Sequence, residues 1–233
     1  MKRDVEVIPL IAYFFFCFLY FLFDKILELK EYAFLVKPIL LPIIAFLYIS
    51  NRNSKRKLLS IFLLVLIFIS DISTLLEIEI LYVYALLIYI VSLYILLYYA
   101  LLGVSFFRKS ELIRKKISFV ILFFVVAIFF YWFYSYEASE KEAEQFIVME
   151  YICVFLILFV VSTFNYLQQK TKQAKYLFLT ILCLFLSVLS FSVHKYYNGH
   201  VTFKYLFGIL EIPVYYFLLK YLLKRDKEEI IEP

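Results

Sequence analysis

Glycine is almost missing from this chain, with three in 233 residues. That scarcity removes the Gly-rich loops that wrap phosphates and the G-x-S-x-G elbow of a serine hydrolase. It also removes the GxxxG seam that packs many membrane helices. Histidine is scarcer still, with only His194 and His200, so no H-E-x-x-H motif exists and a multi-histidine metal site is not expected. The three cysteines, Cys17, Cys153 and Cys183, stand singly inside apolar blocks. They form no C-x-x-C pair and no disulfide framework, and they read as buried thiols. Charged residues make up 18% of the chain, and the net charge of +5 is spread over short loops. No basic stripe offers itself to nucleic acid. No metal and no cofactor is expected. Runs such as "FFFCFLYFLF" and "LLVLIFI" lack period-two alternation, which sets aside a transmembrane β-barrel.

What the chain has in abundance is apolar bulk. Hydrophobic residues are 65% of it and aromatics 22%, and the mean hydropathy is +0.91. A soluble domain is about half apolar. Here the apolar residues form blocks of about 20, the length of a helix that crosses a bilayer and satisfies its own backbone there. The expected fold class is all-α, a polytopic transmembrane bundle forming a single domain. The start, "MKRDVEVIPLIAYFFFCFLYFLF", resembles a signal peptide but lacks a small-residue cleavage site, so it is read as the first span.

About eight candidate spans fall near residues 7–23, 32–50, 58–76, 80–106, 117–135, 146–166, 175–195 and 203–223. The run at 80–106 exceeds one upright crossing and implies tilt or an interfacial portion. The loops support the alternation. Lys2 and Arg3, then "NRNSKRK", "RKSELIRKK" and "QQKTKQAK", then Lys220, Lys224, Arg225 and Lys227 all fall on one side. The other side holds Lys25, Lys30, Lys141, Lys195 and Lys204, with the acidic "YEASEKEAEQ". The positive-inside bias therefore places both termini in the cytoplasm. An integral protein of a bacterial cytoplasmic membrane, with lipids as its partners, is the expected setting. Nothing in the sequence fixes an oligomeric state.

Ionisable groups at membrane depth cost a few kcal/mol each, so they tend to face the protein interior and pair. Lys37, Asp71, Glu150, His194 and Glu211 are the candidates. At about 1.5 Å per residue, Lys37 and Asp71 lie roughly 8 Å from the outer face, Glu150 about 6 Å and Glu211 about 12 Å, with His194 at its span's outer end. All five thus belong to the outer half. Two readings of the shallower groups stand side by side. Lys37 can snorkel to the interface, and Glu150 and His194 can be interfacial residues. Alternatively, Lys37 forms one wall of a polar cavity, because Pro38 and Pro42 free backbone carbonyls beside it. Helical spacing adds two stripes, Cys183–Ser187–Ser190–His194 and Lys204–Gly208–Glu211–Tyr215. In the third span Ser70, Asp71 and Thr74 sit together.

These residues give the chain a likeness to a known family. Lys37-Pro38 early in the second span, "FISDISTLL" (Phe68 to Leu76) in the third, "FLSVLSFSVHKYY" in the seventh and "VYYFLLKYLL" in the last resemble the YhhN family of lysoplasmalogenase-like membrane proteins. Asp71 would be the family's third-span Asp, with Ser70 in place of its Gly. The chain differs where the family has a seventh-span Ser-Asp (here Ser187-Val188), a fourth-span His (Ser92 is nearest) and a last-span Ala-Gln (here Leu218-Leu219). The resemblance implies hydrolysis of the vinyl-ether bond of lysoplasmalogen-type lipids, with a lysophospholipid as substrate. It implies Asp71 as acid or base, Glu211 as its partner carboxylate and Lys37 as the charge that holds a carboxylate ionised or a phosphate in place. Ser70, Ser187, Ser190, His194, Glu150 and Tyr215 would line the substrate. A non-catalytic lipid-binding, sensor or assembly protein is the alternative. A small transporter is disfavoured, because matching halves with paired broken helices are absent.

Overall fold

The computed structural model describes residues 4–51, 58–76, 79–102, 142–196 and 201–228. These residues form seven α-helices: α1 (Asp4–Phe21), α2 (Lys30–Ser50), α3 (Leu58–Leu75), α4 (Glu79–Leu102), α5 (Glu142–Gln169), α6 (Lys172–Tyr196) and α7 (Val201–Glu228). All seven are long and apolar enough to cross a membrane. The candidate span at 117–135 lies outside the described residues. Large apolar side chains such as Ile8, Ile11, Phe15, Phe18, Leu35 and Leu58 stand exposed along the helices. On a water-soluble protein so much exposed hydrocarbon would drive association; against lipid tails it is the expected outer surface. The chain divides into two compact units, Met1–Leu64 with Lys175–Pro233, and Val65–Ala174.

In the first unit α1 and α2 form a hairpin. Tyr13, Cys17 and Tyr20 are buried at i, i+4, i+7, while their neighbours Phe14, Phe15 and Phe18 are exposed. On α2 the buried positions Ala33, Val36, Leu40, Ile44 and Leu47 repeat the same spacing. Each helix therefore buries one stripe and gives the rest to lipid. Tyr20, Ala33 and Val36 pack together with Phe16, Leu19 and Phe23 around them. α7 runs antiparallel to α1: Glu28 meets Lys204, Phe21 meets Gly208, Tyr13 meets Ile212 and Phe14 meets Tyr216. α6 runs antiparallel to α7, since Tyr176 stacks near Phe217 and Phe191 near Phe207.

The turn between α1 and α2 shows how a glycine-poor chain ends a helix. A π-helical turn, Leu22–Ile26, follows α1, and the Leu27 N–H bonds back to the Leu22 carbonyl at 2.9 Å. Glu28 then takes the left-handed conformation, φ 55°, and the Leu29 N–H reaches the Phe23 carbonyl at 2.8 Å. This closure is one residue longer than the six-to-one bond of a Schellman cap, as the π-helical turn requires, and such a cap normally has glycine at the left-handed position. A residue with a Cβ costs about 1–2 kcal/mol there. Lys170, φ 50°, fills the same role after α5, and Thr171 caps the next helix through its hydroxyl on the Ala174 N–H at 3.2 Å.

In the second unit α3 and α4 form a hairpin clasped by the Ser70 hydroxyl, which donates to the Ala85 carbonyl at 2.9 Å. α4 and α5, by contrast, run parallel. Tyr89 meets Tyr151 near their beginnings, and the Asn165 amide donates to the Ala100 carbonyl near their ends, at 2.7 Å. Val154, Leu158, Val161 and Asn165 line the buried face of α5, and Leu93, Leu96 and Ala100 that of α4. Leu102 and Glu142 therefore sit at opposite ends of this unit.

The single described glycine in a packed helix face is Gly208. A Cβ there would fall 2.9 Å from Lys25 Cγ and 2.9 Å from Phe21 Cδ2. Gly208→Val is expected to cost about 1–3 kcal/mol by overpacking, read as a lowered melting temperature in detergent. Gly208→Ala should cost less, since alanine recovers about 1 kcal/mol of helix propensity. A melting temperature unchanged in the valine variant would contradict the close approach.

Candidate functional site

The polar groups of the first unit converge on α1. Lys37, on α2, turns its ammonium toward α1 and lies over the Tyr20 ring, 5.3 Å from its centroid. That is within the roughly 6 Å over which a ring face attracts a cation. Lys37 also reaches the Tyr20 hydroxyl. Glu211, on α7, lies within electrostatic range of Tyr13, Cys17 and Tyr20. Its Oε2 is buried and has no hydrogen-bond partner. Tyr20 thus meets an amine from α2 and lies within electrostatic range of the Glu211 side chain of α7. The Tyr13 hydroxyl donates to the Ile212 carbonyl, next to Pro213.

Depth follows from helix rise. Counted from the ends of the apolar spans at Ile26, Lys30 and Val201, Tyr20, Lys37 and Glu211 lie about 9, 10 and 15 Å in, at roughly 1.5 Å per residue. The three share a layer below the α1–α2 turn. Above them, Lys25 pairs with Asp24 and places its amine 4.5 Å from the centroid of Phe207. Glu28 and Lys204 close the top as an ion pair. A column of polar groups therefore runs down the α1–α7 contact into the apolar layer.

Ser187 and Ser190 are buried on α6 within the first unit, and the Ser190 hydroxyl donates to the Leu186 carbonyl at 2.7 Å. The His194 Nδ1 is buried without a hydrogen-bond partner. Tyr215 is half-buried on α7. Asp71, Ser70 and Glu150 belong to the second unit. Ser70 is engaged as the α3–α4 clasp, while Thr74 Oγ1 donates to the Asp71 carbonyl at 2.8 Å. Glu150 accepts a hydrogen bond from the Tyr94 hydroxyl at 3.1 Å. Among the described residues no group of three His, Cys, Asp or Glu is placed to hold a metal ion.

Tyr13, Cys17 and Tyr20 were not singled out by the sequence as site residues. Their i, i+4, i+7 spacing is the same signal that marks the stripes on α6 and α7, and it could have found them. Comparison with protein-family models, with curated proteins and with solved structures gives no match.

Lys204 holds the Glu28 carboxyl below its usual range, first through the hydrogen bond and then through its charge. The folded protein thus binds this proton less readily than the unfolded chain does. The pair's contribution should be complete above the ordinary value of 4.5 and fade as pH falls below it. A melting series of wild type against Glu28→Gln should show a gap near neutral pH that closes in acid.

Proposed function

We propose that this protein binds an amphiphilic lipid at the Tyr20–Lys37–Glu211 layer and hydrolyses a vinyl-ether bond there, as its likeness to the YhhN family implies. The observation that carries this reading is the approach of an amine and a carboxylate, from two helices, to one tyrosine inside an apolar layer. Lys37 suits a lipid phosphate or another anionic group. Glu211 supplies the proton: it protonates the vinyl carbon, leaving an oxocarbenium ion. Water then adds at the carbon bearing the oxygen and returns a proton to the carboxylate. The resulting hemiacetal collapses to an aldehyde and the glycerol alcohol. One carboxylate acting first as acid and then as base balances the reaction. A shallow apolar groove along α1 and α2, lined by Pro9, Ala12, Phe16, Ile39, Pro42 and Phe46, starts beside Phe16 and suits a single hydrocarbon chain.

A second reading is favoured by the state of the hydroxyls. Ser190 and Tyr13 each donate to a backbone carbonyl, which leaves few groups to orient a water. On that reading the same layer binds lipid without turnover.

Purified protein incubated with lysoplasmalogen is expected to release fatty aldehyde. Glu211→Gln should lower the rate at least about 100-fold, as loss of a general acid does, and Tyr20→Phe should weaken it less. Asp71→Asn tests separately the residue that the resemblance makes the family's acid. Absence of aldehyde from the wild type, with lipid still bound, would leave the second reading standing.

We also infer eight crossings with both termini in the cytoplasm of a bacterium. Parallel packing of α4 and α5 requires an odd number of crossings between Leu102 and Glu142, and the 117–135 block supplies one. In a background lacking Cys17, Cys153 and Cys183, Leu102→Cys and Glu142→Cys should react with an impermeant maleimide from opposite faces. Labelling of both from one face would refute the count.

A further inference from the structure

We propose that the turn between α1 and α2 is a lid over the Tyr20–Lys37–Glu211 layer, held shut by the Glu28–Lys204 ion pair against the strain of its own left-handed residue. The proposal rests on reading that layer as a binding site. The underside of the lid is apolar. Phe23, in the π-helical turn Leu22–Ile26, packs against the buried cluster of Tyr20, Ala33 and Val36. Its ring lies 5.6 Å from that of Tyr32 in the first turn of α2. Phe21 and the Lys25 stem close on Gly208 of α7, and the Lys25 amine lies 4.5 Å from the centroid of Phe207. Beneath these side chains Tyr20 is only 8% exposed.

Glu28 is the pivot. Its φ of 55° carries the chain from the π-helical turn into α2, and in that conformation the Leu29 N–H reaches the Phe23 carbonyl. A residue with a Cβ is strained there, and glycine is not. The force that opposes the strain comes from α7, where the Lys204 amine meets the Glu28 carboxylate. The Glu28 side chain is 72% exposed, so water screens the pair and keeps it weak. A small strain that pushes the turn open and a weak pair that holds it shut leave the lid near balance. Loss of one charge is enough to tip it.

The charged and titratable groups at this end come from four elements. Lys204 of α7 meets Glu28 directly. Asp24 and Lys25 of the turn pair with each other. Lys30 and Glu31 begin α2, and His194 lies near the end of α6 with its Nδ1 buried. Lys204 holds the Glu28 carboxyl below its ordinary value of 4.5, through the hydrogen bond and then through its charge. The latch is therefore complete above that value and fails as pH falls below it. Neutral pH keeps the lid shut, and acid on that face opens a way to the layer for its ligand. π-Helical turns recur at functional sites, and this one supplies the moving part.

The test places a thiol under the lid, using Ala33→Cys in the full chain in mild detergent. Ala33 is 3% exposed and belongs to the cluster that Phe23 covers. Its modification by a dipyridyl disulfide, which still reacts in acid, is followed by mass spectrometry of peptides. Cys153, exposed in the second unit, is the reference in every sample. Near neutral pH, Glu28→Gln should speed modification about threefold, the scale on which loss of an exposed ion pair shifts an equilibrium. Glu28→Gly loses the same pair but also the strain, so its rate should stay at or below that of the Glu28 protein. As pH falls below 4.5, the Glu28 protein should rise to the Glu28→Gln rate while Glu28→Gly stays low. Should Glu28→Gln fail to fold, Lys204→Gln breaks the pair from α7 and is expected to give the same acceleration. No acceleration on breaking the pair near neutral pH, or equal acceleration in Glu28→Gln and Glu28→Gly, would overturn the lid. The readout does not use aldehyde release, so the lid and the hydrolysis stand or fall separately.

Discussion

A protonated amine seven residues into an apolar helix has two ways to survive. It can stretch back to the interface, or it can find an electron-rich surface inside the protein. Lys37 takes the second course by lying over the Tyr20 ring. The organisation of the first unit turns on that contact. Tyr20 must face α2, which sets the rotation of α1, and Tyr13 and Cys17 then share its buried stripe. The same rotation directs this stripe at α7, where Glu211 comes within range. Pro38 and Pro42 on α2 are consistent with this arrangement, because each removes a backbone donor close to the amine and leaves acceptors near it.

Much of the fold was legible because the bilayer imposes a simple code. Length and hydropathy mark a crossing helix, and the described helices fall on the apolar blocks within a few residues. Lys37 and Glu211 were legible for the related reason that charge at depth is costly enough to need a purpose. The tyrosines of α1 were harder to see. A tyrosine is apolar enough to pass as packing bulk, and only its spacing with Cys17 separates it from the many aromatic residues around it. Depth counted along one helix places a residue at a level but not on a face, so the partner of Lys37 had to come from packing.

Other features left almost no trace in composition. The π-helical turn at Leu22–Ile26 is one residue of extra backbone, with no composition that announces it. Glu28 in a left-handed conformation breaks the ordinary preference for glycine, and its compensation, Lys204, is distant in sequence. Arg225 belongs to a run of basic residues that orientation rules count as loop charge, whereas its burial is decided by how α3 and α7 meet. Sequence-based reasoning treats such residues as address labels, and packing makes some of them interior parts.

The parallel alignment of α4 and α5 has a consequence for how the molecule is made. The Ala100 carbonyl and the Asn165 amide that joins it are 65 residues apart. At about 5–20 residues per second of synthesis, α4 is finished some seconds before its neighbour exists. During that interval its face around Leu96 and Ala100 lacks the helix that covers it in the finished protein. The second unit is therefore completed by a helix that arrives from a distance rather than by the next one in line.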